Sequence, residues 1–418
     1  MYLLPKPKTI KEQDGQMLLC HSTHIVMTKE VAETEMHAAK RLQEAIRQET
    51  GLILPFSVGE VREGDLSLGI AKTLPEQTYE ITIDEKGGQI SGGDGAGVLY
   101  GVETFCQIVQ QCGGILPCVQ IQDAPDMPNR GYYFDQTRGR VVKLEELKKI
   151  ADRMCRYKLN QLQLYVEHTY LFRDFSEMWR DQTPLTAEEI RELDSYCRER
   201  HIELVPSLAS FGHLCTLLST KTYGDLCEME DSWKEPFSFW NRMRYHTINV
   251  SDERSLPLIK KMIAEYMQLF SSNKFNICAD ETFCLGKYKS KKLAEERGVH
   301  RLYIDYVKEL AQFLVENGKI PMFWGDIIWN SPELMKELPE SMICLNWGYA
   351  PEQREDETRG DCTDGCSAVS VSGCMRLEPV GKLNRKNSYK KYYKNVRLCG
   401  KISWHRCVEH RLGRFWTR

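Results

Sequence analysis

FNICADETF, residues 275–283, is an apolar run that ends in two adjacent carboxylates, Asp280 and Glu281. Neighbouring acids repel each other, and burying either is costly unless something offsets its charge. Successive strand residues also point to opposite faces, so the two acids share one aim only where the strand end bends. The C-terminal mouth of a parallel barrel strand meets both conditions, since barrel enzymes place their reactive groups there.

The surrounding units repeat the pattern. A strand at 131–134 ends at Asp135, and Leu144, Leu147, Ile150, Ala151 and Met154 then form one helical face. A strand at 162–166 ends at Glu167 and His168, and Thr186-x-x-Glu189 is a capping box opening the next helix. A strand at 202–208 ends at Phe211-Gly212-His213, and a helix over 256–270 precedes the opening stretch. Strands follow at 321–324 and 342–347. Repeated β-then-α units imply parallel strands with right-handed crossovers. Without a dinucleotide fingerprint they predict a (β/α)8 TIM barrel over 126–360.

Residues 1–125 predict a small α/β domain. Strands at 79–83 and 89–91 flank Gly87-Gly88, and GGDGAGVLYG (92–101) then opens a helix. Such a loop can cradle phosphate, but its spacing fits that role loosely and reads better as a strand-to-helix turn. DAPDMPNR (123–130) reads as a linker.

Across 418 residues, 42% hydrophobic and 28% charged content are those of a soluble globular protein. A net charge of −3 gives no electrostatic case for nucleic acid or an anionic membrane. The first residues lack the apolar core of a secretory signal and no apolar run is long enough to span a bilayer, so a cytoplasmic location is expected. The 16 cysteines are scattered without zinc-site spacing and read as reduced thiols.

The acidic pair allows two jobs: one acid stays ionised and orients a substrate group, the other keeps a proton as general acid. A metal would need further donors, and only His168 and His213 are offered by other strand ends. No metal or cofactor is expected. Trp324 in FWGDIIW and Trp347 with Tyr349 in LNWGY stand at successive strand ends, where indoles can stack on the C–H face of a pyranose.

In this order the motifs resemble those of family 20 glycoside hydrolases, the β-N-acetylhexosaminidases. NRGYYFDQTR resembles the family's first barrel strand, R-G-x-x-x-D-x-x-R. FGH resembles its P-G-H, FNICADE its G-x-D-E, and FWGD and NWGY its tryptophan strands. The resemblance implies release of terminal β-linked N-acetylhexosamine from an oligosaccharide or glycoconjugate, with Glu281 as general acid and then base. Asp280 would hold the 2-acetamido group, whose carbonyl oxygen is the nucleophile. Tyr349 would bond the acetamide oxygen and Arg130 the sugar 3- and 4-hydroxyls. Trp324, Trp347, Asp326 and His213 would complete the substrate site. Two departures stand out: Cys278-Ala279 replaces glycine before the acids, and YVEHTY replaces H-x-x-D.

Beyond 360 the βα rhythm stops, leaving six strands and a basic, Cys-rich stretch over 361–418. Shifting codons by one nucleotide lets residues 403–417 be encoded by the bases that spell the family's last barrel strand. Residues 370–373 can hide a seventh strand end in the same way. A frameshift between about 358 and 369 is therefore expected, with a truncated, inactive and at most weakly sugar-binding product as the alternative to an active enzyme.

Overall fold

The computed structural model describes residues 1–347 and 367–371. The chain divides into two compact units. One holds Met1–Phe134, Val142–Gln163 and Ala187–Leu204; the other holds Asp135–Val141, Leu164–Thr186 and the chain from Val205 onward.

The first unit is built on a mixed sheet of β1 (Thr9–Leu18), β2 (Ile25–Met27), β3 (Phe56–Val58), β4 (Leu66–Ile70), β5 (Tyr79–Asp84), β6 (Gly87–Gly92) and β7 (Ile115–Asp123), in the order β1-β7-β5-β6-β4-β2-β3. The expected pair at 79–83 and 89–91 is the antiparallel hairpin β5–β6, closed between Asp84 and Gly87. The Gly-rich stretch is a strand-to-helix turn. Asp94 caps the helix Gly95–Cys112 by accepting the Gly97 N–H at 2.7 Å. A Cβ at Gly92 would lie 2.1 Å from the Val98 nitrogen, so glycine there serves close backbone packing. That helix is buried from Ala96 through Val109, which suits its largely apolar sequence. The helices Leu144–Arg156 and Ala187–Arg198 also belong to this unit. In the first, Leu144, Leu147, Ala151 and Met154 are buried as the spacing predicts, while Ile150 is only half-buried.

The second sheet orders β14 (Ser367–Val371), β13 (Ile343–Trp347), β12 (Ile320–Trp324), β11 (Lys274–Asn276), β10 (Glu203–Leu208), β9 (Gln161–Val166) and β8 (Gly131–Asp135) side by side in sequence order. The pairs from β10 to β14 are all parallel, and helices such as Ser255–Met267 and Val299–Glu316 connect them. This is the sheet of a TIM-barrel-like α/β fold.

Two expectations are corrected. The barrel does not stop at 360: β14 pairs with β13 from Ile343↔Ser367 to Trp347↔Val371, giving seven strands among the described residues. SAVSV is a short, partly β-branched alternation, which suits a strand despite the polar stretch before it. The opening strand also ends early, at Asn276, because Cys278 and Ala279 are left-handed, with φ of 59° and 63°. Tyr349, all but the last residues of the proposed frameshift interval, and the tail beyond 371 lie outside the described residues.

Candidate active site

The mouth of the second unit is assembled from strand ends. After β8, Asp135 accepts the backbone N–H groups of Thr137 at 2.8 Å and Arg138 at 2.9 Å, and the Arg138 Nε–H at 2.7 Å. The Arg138 guanidinium lies over the Tyr165 ring, 4.8 Å from its centroid. After β9, the buried Glu167 accepts from Tyr165 Oη at 2.9 Å and Arg242 at 2.9 Å, with Arg138 3.8 Å away. Burial alone would raise the Glu167 pKa, but the Arg242 and Arg138 charges outweigh it and hold it below the usual value. His168 beside it is lowered by burial and sits 3.2 Å from Thr216 Oγ1.

After β10 comes Phe211-Gly212-His213. A Cβ on Gly212 would lie 2.6 Å from the Asp280 carbonyl oxygen, so the FGH glycine is what lets the acidic pair lie directly against this segment. His213 is left-handed (φ 62°) and 2% exposed, and its Nε2 lies 3.4 Å from an oxygen of Asp280 and of Glu281. Neither contact meets hydrogen-bond geometry, and neither ring nitrogen has another hydrogen-bond partner. Glu281 is also left-handed, with φ 50°. The bend that the sequence required is therefore a run of non-glycine residues in a sparsely populated region, which functional sites retain at a cost of ~1–3 kcal/mol per residue.

Two tyrosines of the helix Val299–Glu316 brace this turn: Tyr303 Oη donates to the Ala279 carbonyl at 3.0 Å, and Tyr306 Oη to the Ser210 carbonyl at 3.0 Å. Phe211 packs against both rings.

The electrostatics separate the two acids. Burial works against the Asp280 charge, but His213 and Arg138 outweigh it and the pKa is lowered. Glu281 is raised, by burial first and then by the Asp280 charge, against the pull of His213. His213 is raised because the Asp280 charge overcomes the effect of burial. Asp326, just after β12, is pushed up to about 7 by burial and by the charges of Asp280 and Glu281. The donor atoms of His213, Asp280 and Glu281 lie within 4.8 Å of one another, a spacing that could hold a cation. A proton on His213 offsets the same charge, in line with its raised pKa.

Of the expected site residues, His213, Asp280, Glu281 and Asp326 come together. Trp324 ends β12 and is buried. Trp347 ends β13, but its side chain, like Tyr349, is outside the described set. Arg130 belongs to the first unit and the acids to the second. It precedes β8, and its guanidinium is spent within the first unit on Lys158 O, Gln77, Met127 O, Pro128 O and Tyr100. Arg138, the second arginine of the same motif, stands at the other end of the strand. With Thr137, His168, Thr216, Phe237 and Arg242 it lines a cavity of about 660 Å³. Sequence reasoning passed over Arg138 and Arg242. The first was findable from its place after the strand; the second lies on a short helix, Phe239–Arg244, that no motif marks.

Comparison with known proteins bears on this arrangement. Residues 1–124 match domain 2 of glycosyl hydrolase family 20 and residues 128–373 match its catalytic domain, so the chain belongs to that family. A β-hexosaminidase of Porphyromonas gingivalis is 24% identical over 78% of this chain and 45% of its own length. One from Vibrio furnissii is 26% identical over 67% of this chain and 48% of its own. The chain thus spans about half the length of these curated relatives. Among solved structures, a Flavobacterium johnsoniae chitobiase superposes with a TM-score of 0.74 at 19% identity, covering 93% of this chain and 64% of that one. An exo-β-N-acetylglucosaminidase of Vibrio harveyi bound to N-acetylglucosamine gives 0.72 at 19%, covering 88% and 60%. At that identity the structures speak for the fold.

Proposed function

We propose that the chain is an exo-acting β-N-acetylhexosaminidase working by substrate-assisted, retaining hydrolysis. The observation that carries this is the opposite shift of two adjacent carboxyls at a barrel mouth: Asp280 held towards the charged form, Glu281 towards the protonated one. In the first step the substrate's acetamido oxygen attacks the anomeric carbon while Glu281 gives its proton to the departing glycosidic oxygen. Asp280 orients the acetamide N–H and stabilises the cationic oxazolinium. In the second step Glu281 takes a proton from water as that water opens the ring, so the proton lost is regained and the sugar leaves with its configuration kept. The nucleophile comes from the substrate, and the reaction needs no cofactor. Trp324, Trp347 and Tyr349 keep their expected roles around the sugar. Arg138 takes the place expected for Arg130, because it combines a guanidinium with a cavity at the mouth.

Substrates are N-acetylhexosamine-terminated glycans, as the names of the relatives suggest. Among the described residues no helix is long and apolar enough to cross a membrane, and all eleven described cysteines are free, which supports a reducing, cytoplasmic setting.

The test is release of 4-methylumbelliferone from its β-GlcNAc and β-GalNAc glycosides, with competitive inhibition by a thiazoline mimic of the oxazolinium. A covalent glycosyl-enzyme trapped in place of thiazoline inhibition would overturn the mechanism. Sugar binding without turnover would favour the inactive alternative.

A further inference from the structure

The acidic pair leaves its strand by a route that needs help from the neighbouring one. β11 and β12 pair up to Asn276↔Met322. Two further bonds extend the ladder: Ile277 N–H to Met322 O and Trp324 N–H to Cys278 O, each 2.8 Å. There the chain turns left-handed at Cys278 and Ala279, and the Ala279 carbonyl is taken by Tyr303 Oη. On the β12 side, the Gly325 N–H turns away to the Leu345 carbonyl of β13. The Glu281 N–H is met instead by a side chain: it donates to Asp326 Oδ2 at 3.0 Å.

We infer that Asp326 is a positioning residue for Glu281, its carboxyl oxygen supplying the ladder bond that the bent strand end gives up and so fixing the direction in which the Glu281 side chain leaves the backbone. This rests on the role of Glu281 proposed above and replaces the expected contact of Asp326 with substrate. The chemistry of the spot argues for such a role. A carboxyl buried beside two other acids is unfavourable, and Asp326 Oδ1 is buried without a hydrogen-bond partner. What the residue does contribute is an acceptor for an N–H at a residue with φ of 50°, a conformation that bulky side chains avoid.

Two variants of the full chain separate this from a general structural role. Asp326→Asn keeps an acceptor for the Glu281 N–H and removes the titratable carboxyl; Asp326→Ala removes both. On a substrate with a poor leaving group, such as the β-linked GlcNAc disaccharide, Asp326→Ala should lower kcat by ~10²-fold with KM changed less than about threefold, since a misaimed acid slows chemistry more than binding. Asp326→Asn should recover most of that loss. Hydrogen–deuterium exchange of the peptide spanning 277–283 reads the same bond without turnover: protection should fall in the Ala variant and persist in the Asn variant. Equal kcat or equal exchange in the two variants would overturn the inference. If Asp326→Ala loosens the peptide while Glu281→Gln leaves hydrolysis of poor-leaving-group substrates intact, the positioning stands and the role of Glu281 fails.

Discussion

The two sheets contain seven described strands each, and the groups around them differ in how fully their buried polar atoms are paired. In the first unit such groups are mostly paired. Lys158 donates to Tyr79 Oη at 2.9 Å, which donates to Asp123 at 3.0 Å and lies 2.8 Å from Thr104 Oγ1. Glu103 is paired with Arg41 and also accepts the Cys155 thiol. At the barrel mouth, by contrast, both nitrogens of His213, Asp326 Oδ1 and Arg242 Nε are buried without hydrogen-bond partners. Non-glycine residues crowd into left-handed backbone there as well. Satisfied networks stabilise a fold; unsatisfied, strained ones persist where a ligand completes them.

That contrast can be broken by experiment. The largest effect belongs to the mouth: Glu281→Gln should lower hydrolysis of poor-leaving-group glycosides by ~10²-fold or more while leaving thermal stability nearly unchanged. Equal losses on good and poor leaving groups would remove Glu281 as the acid. In the wild-type pH profile the alkaline limb should lie above 4.5, the ordinary Glu value, because Glu281 is raised and must carry its proton. The acidic limb should lie below 3.8, because Asp280 is lowered and must be ionised.

Glu103→Ala should do the reverse. Opening its buried pair with Arg41 should cost ~3 kcal/mol, the low end for such pairs because Arg41 keeps some solvent contact, read as a lower denaturation midpoint with kcat unchanged. A large kcat loss there would collapse the distinction between the units.

The contribution of Asp326 to stability should also fall as pH rises from about 4 through 7. Asp326, Glu281 and His213 all have raised pKa values in the fold, so each adds stability at low pH that is lost as it deprotonates. Asp326→Asn should flatten part of this slope in thermal melts; an unchanged slope would mean that Asp326 titrates normally.

The smallest effect is expected from Ala279→Gly. Relief of the φ of 63° and the added freedom of the unfolded chain oppose each other, so the net change should stay within about 1 kcal/mol. A loss of several kcal/mol would show that the turn is held by the alanine methyl.

The sequence carried the barrel strands well, because parallel strands buried on both faces read as apolar runs bounded by polar ends. It carried the acid pair and His213 for the same reason: each follows such a run. The left-handed turn was not legible, since Cys278 and Ala279 both bear a Cβ and nothing in their chemistry announces positive φ. Arg130 and Arg138 belong to one motif. Only strand direction separates them, because the residue after the strand reaches the mouth and the one before it does not. Arg242 enters from a long connection, where periodicity gives no guide.

Tyr303 and Tyr306 sit three residues apart on one helix, so their hydroxyls move together as that helix rotates or slides. The carbonyls they hold belong to the two adjoining segments of the mouth, one carrying His213 and the other the acid pair. The helix therefore works as a common lever: a change on its outer side, touching neither cavity nor substrate, would shift both segments in the same direction. The spacing between His213 and the carboxyls is buffered against such motion, while the aim of the whole cluster into the barrel is not.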